Sequence, residues 1–217
     1  MADVVRVEGP DAVTYLQGQL SQDIAALVVG ADAWSFVLEP NGHIVALVLV
    51  SRTADQAFTL AVDSGLGDAV VARLRRFLLR TQATIALESA GSNGDDERAR
   101  IEQGRPGSAE FDERAVPAET GWVDRAVSFT KGCYTGQELV ARMDSRVADP
   151  PRRLVQISAL DAAITAGAPL SVEGAEVGVV TSTAGSVALG YVKRGAPLTG
   201  EATVDGVRVV LDGPVGA

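Results

Sequence analysis

The residues best suited to chemistry stand together in one short segment, Lys131 to Glu138, which reads Lys-Gly-Cys-Tyr-Thr-Gly-Gln-Glu. Cys133 is the single cysteine of the chain and supplies a thiol, whose deprotonated form is the nucleophile and the metal ligand. Lys131 stands two residues earlier, and a nearby cation favours a thiolate. Gly132 and Gly136 let backbone N–H groups approach a ligand closely. We predict that residues 131–138, called the signature segment below, form a ligand loop with Cys133 as its reactive thiolate.

A structural explanation of the same residues stays open from composition alone. A free cysteine is among the most buried residue types and often acts as a small hydrophobic side chain. Under that explanation Lys131 is a solvated charge, and Glu138, which could pair with a cation or an amide edge, is a surface acid. The exposure of Cys133 separates the two explanations.

Charge and composition exclude several classes of function. The chain has 19 basic and 28 acidic residues, a net charge of −9, which disfavours general binding to DNA or RNA. One cysteine can build neither a disulfide framework nor a four-ligand zinc or iron–sulfur site. The longest aliphatic run, residues 44–50, is far shorter than the roughly 20 residues that a membrane span needs. With no leader-like pattern at the start, we expect a soluble, cytoplasmic protein that binds no membrane.

The elements that must position the signature segment follow from hydrophobic periodicity. The apolar positions Val13, Leu16, Leu20 and Ile24 predict a first helix, and a second stripe runs from Leu66 to Leu78. Apolar runs at residues 33–39 and 43–50 flank Pro40-Asn41-Gly42, which is typical of a tight β-hairpin turn. With strands at 4–8, 57–62 and 83–87, the order is β-α-β-β-β-α-β, which places two helices on one sheet face.

The second half of the chain has a different pattern. Residues 89–97 are rich in Gly, Ser, Asn and acidic side chains and are interpreted as a loop or linker. Beyond the signature segment, short apolar runs at 154–157, 175–180, 187–192 and 207–211 predict a small β-barrel or β-sandwich. The fold class is therefore α+β, with an N-terminal domain at residues 1–147 and a C-terminal β-barrel domain at 148–217.

The signature segment resembles the motif of the YgfZ-type folate-binding proteins, which support iron–sulfur cluster assembly and tRNA thiolation. The resemblance continues into Leu139-Val140-Ala141-Arg142 and back to Ala115–Glu119. It also includes Tyr15-Leu16-Gln17-Gly18-Gln19 near the N-terminus and Ala188-Leu189-Gly190-Tyr191-Val192 in the predicted barrel. That family shares its fold with the glycine-cleavage T-protein, a tetrahydrofolate-dependent aminomethyltransferase. The resemblance implies a ferredoxin-like, T-protein-like N-terminal domain, here with one subdomain reduced.

The resemblance also implies a site. Arg100-Ile101-Glu102-Gln103-Gly104 is similar to the family's pterin-anchoring element, in which the carboxylate accepts two N–H bonds from the amino-pyrimidine edge. The expected cofactor is tetrahydrofolate, and a shared, transient iron–sulfur cluster would be ligated through Cys133. The partners are then small-molecule folate and iron–sulfur assembly or client proteins. The folate-binding residues that the resemblance implies are Arg100, Glu102, Lys131, Gly132, Tyr134, Gly136, Gln137, Glu138 and Arg142.

One departure separates this chain from the T-proteins. They carry a catalytic aspartate just after the hairpin glycine, whereas residues 43–48 read His-Ile-Val-Ala-Leu-Val and contain no carboxylate. A hydrocarbon cannot take over that electrostatic role, so aminomethyl transfer is disfavoured. The leading hypothesis is a folate-binding accessory factor for iron–sulfur proteins. Two alternatives are a reduced aminomethyltransferase or demethylase, and a protein-docking module that has lost folate.

A cluster of arginines on the second predicted helix has two interpretations. Arg73, Arg75, Arg76 and Arg80 could bind an anionic ligand through their guanidinium groups, or they could form the solvated polar face of an amphipathic helix.

Overall fold

The computed structural model describes residues 2–88, 97–145, 149–160 and 162–216. Its first part contains five strands and two helices in the predicted order: β1 (Ala2–Glu8), α1 (Ala12–Gln19), β2 (Asp32–Leu38), β3 (Ile44–Ala54), β4 (Ala57–Asp63), α2 (Gly67–Arg75) and β5 (Thr84–Glu88). The strands form one antiparallel sheet in the order β2-β3-β4-β1-β5. The predicted β-α-β-β-β-α-β order is confirmed.

Both helices bury their apolar stripes in one core cluster. Leu16 of α1 and Val70 and Leu74 of α2 join alternate residues of the strands, such as Val48 and Leu60. Since successive residues of a strand point to opposite faces, this alternation puts the two helices on the same face of the sheet, as predicted. Burial of these side chains stabilises the sheet at about 25 cal/mol for each Å² of apolar surface removed from water.

The helices are short, and α1 ends earlier than its apolar stripe predicts. The stripe continues to Ile24, but the helix stops at Gln19 because Leu20 adopts an extended conformation, with φ −108° and ψ 150°, and bridges to Val37 of β2. Leu20 and Ile24 are still fully buried, so the spacing of apolar residues continues beyond the last residue of the helix. No helix in the described parts of the chain is long and apolar enough to cross a membrane.

The middle of the chain forms short helices. They are α3 (Glu97–Glu102), a single 3₁₀ turn (Ser108–Glu110), α4 (Pro117–Thr120), α5 (Val123–Ala126) and α6 (Gln137–Ser145). Residues 89–96 of the predicted linker lie outside the described residues, and Glu97, its last residue, already starts α3.

The C-terminal part is a closed six-stranded antiparallel barrel, which confirms the predicted fold class. Its strand order is β10-β11-β6-β9-β8-β7, and β10 pairs with β7 to complete the closure. The strands are β6 (Arg152–Ser158), β7 (Pro169–Val172), β8 (Ala175–Ala184), β9 (Val187–Lys193), β10 (Gly200–Val204) and β11 (Val207–Pro214). The sequence pattern missed β7 and β10, which are short and begin with proline and glycine, residues that are rare inside strands.

The chain divides into two compact units. The first contains Met1–Gly94 and Val123–Arg142, and the second contains Asp95–Trp122 and Met143–Ala217. The segment from Asp95 to Trp122 therefore groups with the barrel, although it precedes the signature segment in the chain. The domain limits at residues 147 and 148 stay a prediction.

Candidate functional site

Cys133 is exposed and lies in the loop between α5 and α6. Its neighbour Gly132 is also exposed, with open space where a Cβ would stand, while Tyr134 on the other side is half-buried. The alternative of a buried structural cysteine is therefore wrong. An exposed thiol in a loop can meet a second molecule.

Lys131 anchors one side of this loop to the C-terminal end of α1. Its Nζ donates hydrogen bonds to the carbonyl oxygens of Gln17 at 2.6 Å, Leu20 at 2.7 Å and Gln22 at 2.8 Å. The last carbonyls of a helix have no partner within the helix, and the helix dipole favours a cation there. The three N–H donors of the ammonium are thus used by three backbone carbonyls, so Lys131 is not the solvated charge of the alternative interpretation.

Thr135 anchors the other side of the loop to the same helix end. Its backbone N–H donates to the carbonyl of Gly18 at 3.0 Å, and its hydroxyl lies 3.4 Å from the side-chain oxygen of Gln19. The side-chain oxygen of Gln137, the first residue of α6, accepts a hydrogen bond from the backbone N–H of Tyr134 at 3.1 Å. This bond closes a local turn immediately before the helix. Cys133 therefore sits between two attachment points on α1.

Gly136 allows the signature segment to pack closely against the predicted hairpin. It is buried with a φ of +85°, and a Cβ at this position would stand 2.7 Å from the carbonyl oxygen of Glu39. The hairpin glycine, Gly42, has a φ of +88° and lies against Leu139 of α6 in the same way. Only glycine adopts this left-handed conformation at little cost. The structure thus brings the hairpin turn and the signature segment together.

Arg73, one of the arginines of the predicted surface cluster, is instead buried beside the contact between the hairpin and the signature segment. Arg73 of α2 is 1% exposed, donates through Nε to the carbonyl of Leu38 at 2.6 Å, and donates through Nη1 to the side-chain oxygen of Gln19 at 3.0 Å. Its guanidinium also lies 4.6 Å from the ring centre of Phe77. Burial lowers the pKa of Arg73 from its ordinary value. Arg73 is a support of the loop that sequence reasoning missed, since its spacing matched that of exposed arginines.

Burial is the main cause of the pKa shifts of Lys131 and Tyr134 in the loop. Burial lowers the pKa of Lys131 to about 8, while the charge of Asp23 acts in the opposite direction. Burial raises the pKa of Tyr134 to about 12, and the Lys131 ammonium lies 5.1 Å from the centre of its ring. Tyr134 is therefore a neutral phenol over the physiological range. The proposed thiolate character of Cys133 stays a prediction.

The remaining predicted residues of this unit lie on α6. Glu138 and Arg142 are exposed and Gln137 is half-buried, so the structure leaves the two charged groups on the surface. Among the described residues, no group of three or more His, Cys, Asp or Glu side chains could hold a metal ion.

Glu102 and Arg100, the predicted pterin-anchoring residues, belong to the second unit. The Glu102 side chain is 50% exposed, and its Oε1 pairs with Nε of Arg98 at 2.7 Å, one turn earlier in α3. Arg100 is buried instead, where it pairs with Glu97 at 2.6 Å and with Glu110 at 3.0 Å. The structure therefore gives the two residues different surroundings: Glu102 is open to a ligand, and Arg100 is part of an internal network.

Glu110 is the centre of that network and had no signal in the sequence. Its carboxylate is fully buried and accepts hydrogen bonds from the backbone N–H of Gly107 at 2.7 Å, from Thr181 at 2.6 Å and from Ser182 at 2.5 Å, besides Arg100. A buried carboxylate needs such partners because burial of an unpaired charge is costly. The network ties the 3₁₀ turn to strand β8 of the barrel.

Comparisons with known proteins agree with this architecture. Residues 152–215 match the model of the CAF17 C-terminal β-barrel domain. The chain is 27% identical over 190 residues to an uncharacterized protein of Haemophilus influenzae, covering 67% of each chain. It is 28% identical over 154 residues to an aminomethyltransferase of Bordetella petrii, covering 66% of this chain and 42% of that protein. A chloroplastic protein of Arabidopsis thaliana, named as a transferase, is 34% identical over 176 residues, covering 76% of this chain and 37% of that protein.

A solved structure extends the likeness to the whole chain. The glycine cleavage system aminomethyltransferase T of Bartonella henselae superposes with a TM-score of 0.70 and 19% identity, covering 100% of this chain and 84% of that one. The chain spans 42% and 37% of the lengths of the Bordetella and Arabidopsis relatives. The protein has a T-protein-like fold, and its C-terminal part matches the β-barrel domain of CAF17.

Proposed function

We propose that this protein is a folate-binding accessory factor for iron–sulfur cluster assembly or repair, which supports iron–sulfur enzymes such as those that thiolate tRNA. The observation that carries the proposal is the exposed Cys133 in a loop held on one side by the Lys131 ammonium and on the other by the backbone N–H of Thr135. The match of residues 152–215 to the CAF17 barrel domain supports an iron–sulfur role. We propose that the protein acts in the cytoplasm.

The single thiol limits what the protein does with a cluster. One cysteine supplies one thiolate ligand, whereas clusters are commonly held by four. In this proposal the cluster is cargo, bound between Cys133 and ligands of an assembly or client protein, and is released when the two separate. The protein purified alone is then expected without a cluster.

Glu102 is the residue that we propose anchors tetrahydrofolate. The side chain is half-exposed, Oε1 pairs with Arg98, and Oε2 remains as an acceptor for an N–H of the amino-pyrimidine ring. The pairing with Arg98 keeps the carboxylate in place on the surface of α3. When bound, the folate would supply a one-carbon carrier, and the role of Glu102 is to orient its pterin.

We expect Glu102→Ala to weaken tetrahydrofolate binding, since a charge-assisted hydrogen bond contributes about 1.5–3 kcal/mol, roughly 10-fold or more in Kd. Isothermal titration calorimetry measures the effect. Glu176→Ala is the matched control, because Glu176 is another exposed glutamate in a surface ion pair, with Lys193 at 3.2 Å. Equal affinities of wild type and Glu102→Ala would remove Glu102 from the folate site. No binding by either would favour the protein-docking alternative.

We expect Cys133→Ser to lose complementation of a strain that lacks this protein, measured as the activity of its iron–sulfur tRNA-thiolating enzymes. Serine keeps the size of the side chain but is a poor iron ligand, and the exposed position means that stability changes by no more than about 0.5 kcal/mol. Iodoacetamide alkylation across pH reports the thiolate directly. Full complementation, together with an alkylation pKa at the ordinary value of about 8.5, would make Cys133 a residue without a chemical role.

The aminomethyltransferase alternative is supported by the relative from Bordetella petrii and by the structure from Bartonella henselae. It is disfavoured because residues 43–48, which follow the hairpin glycine, are without a carboxylate, and Ala46 and Val48 are buried in the core. Glu39, before the turn, pairs with Arg76 at 2.9 Å. Release of ammonia or a methylene-folate product from an aminomethyl substrate would favour this alternative.

A further inference from the structure

The loop that carries Cys133 is attached to α1 through contacts that converge on a single helix end. Lys131 contacts the carbonyls of Gln17, Leu20 and Gln22, and Thr135 contacts that of Gly18. Of these two attachments, the shorter contact of Thr135 uses its backbone N–H, which every residue except proline possesses, and its hydroxyl adds only longer contacts of 3.4 Å to Gly18 and Gln19. The attachment through Lys131 depends on the side chain.

The three carbonyls form a cage suited to a cation. The oxygens lie 2.6–2.8 Å from Nζ, and the C-terminal end of a helix carries a partial negative charge. The charged or titratable groups that face the ammonium are Asp23 and the neutral phenol Tyr134. Without Lys131 the carbonyls would lose their donors, and the cage would still attract another small cation.

We propose that Lys131 is a positioning residue, whose ammonium in the carbonyl cage at and just beyond the end of α1 fixes the Cys133 loop in the exposed arrangement that a partner meets. The use of Cys133 by a partner rests on the proposed function, whereas the anchoring is measured without it. Lys131 thus acts through Cys133 and touches no substrate in this role.

The single cysteine makes the test specific, because a nitroxide label can attach only at Cys133. We expect electron paramagnetic resonance to show a label of restricted mobility in the wild-type protein and a several-fold more mobile label in Lys131→Met. Lys131→Arg retains a cation and restores part of the restriction. Lys193→Met is the matched control, since the other lysine is exposed and pairs with Glu176, and its spectrum should equal that of wild type. Circular dichroism verifies that each variant is folded.

Cation rescue separates anchoring from a general packing effect. In Lys131→Ala, added ethylammonium should restrict the label again by occupying the cage, whereas ethanol, which is neutral, should not. Equal mobility in wild type and Lys131→Met, or equal effects of ethylammonium and ethanol, would overturn the proposal. If either of these results were found while Cys133→Ser still failed to complement the deletion strain, the role of Lys131 would be removed and the proposed function would stand.

Discussion

Replacing Glu110 with alanine is expected to lower the free energy of unfolding of the second unit by about 3–5 kcal/mol, the usual cost of breaking a buried ion pair. The carboxylate accepts four hydrogen bonds, from Gly107, Thr181, Ser182 and Arg100. Its removal leaves the buried N–H of Gly107 and the buried hydroxyl of Ser182 without this acceptor, whereas the half-buried Thr181 hydroxyl keeps the carbonyl of Leu189 at 3.1 Å. Arg100 keeps its bonds to the exposed Glu97 but loses the buried partner of its charge, which is the main part of the expected loss.

Urea denaturation followed by circular dichroism measures this change. Glu102→Ala is the matched control, because Glu102 lies on the surface of the same region and its ion pair with Arg98 is half-exposed. Exposed pairs of this kind contribute about 0–1 kcal/mol. If the two variants had equal stabilities, the network around Glu110 would contribute nothing beyond a surface pair.

Replacing Gly136 with alanine is expected to have the second-largest effect and to act on the candidate site itself. Its φ of +85° is left-handed, which costs an alanine about 1–2 kcal/mol. A Cβ would also stand 2.7 Å from the backbone oxygen of Glu39 and 2.8 Å from the Cβ of Leu38, and such overpacking costs a further 1–3 kcal/mol, roughly. The hairpin and the signature segment must then separate, so we expect lower stability of the first unit and changed alkylation kinetics of Cys133.

Gly132→Ala gives the comparison within the same loop. Gly132 has no left-handed φ, and nothing lies within 4 Å of a Cβ built there. The substitution should therefore change stability by no more than about 0.5 kcal/mol. Chemical denaturation of Gly136→Ala and Gly132→Ala compares their stabilities, and alkylation rates of Cys133 are measured in parallel. Equal losses of stability would mean that the loop tolerates no side chain at either glycine. That result would contradict a specific contact at Gly136.

The sequence by itself determined the secondary structure where hydrophobic periodicity and turn chemistry agree. The Asn-Gly turn at Asn41 and Gly42, the two amphipathic helices and four of the six barrel strands were predictable, because each depends on residues close together in the chain. The end of α1 was not, since Leu20 continues the apolar spacing while its backbone joins β2. The segment with Cys133 was also recognisable, because its functional residue types are consecutive.

Tertiary structure alone decided what holds that segment and what surrounds its residues. Lys131 meets carbonyls more than one hundred positions earlier in the chain, and Glu110 meets hydroxyls about seventy positions later. Arg73, which shares the spacing of exposed arginines, is buried because the carbonyl of Leu38 and the amide of Gln19 replace its water. A sequence pattern records which side of a helix is polar. Whether a charge on that side meets water or a buried carbonyl depends on the folded neighbours, since only their hydrogen bonds compensate for the loss of hydration.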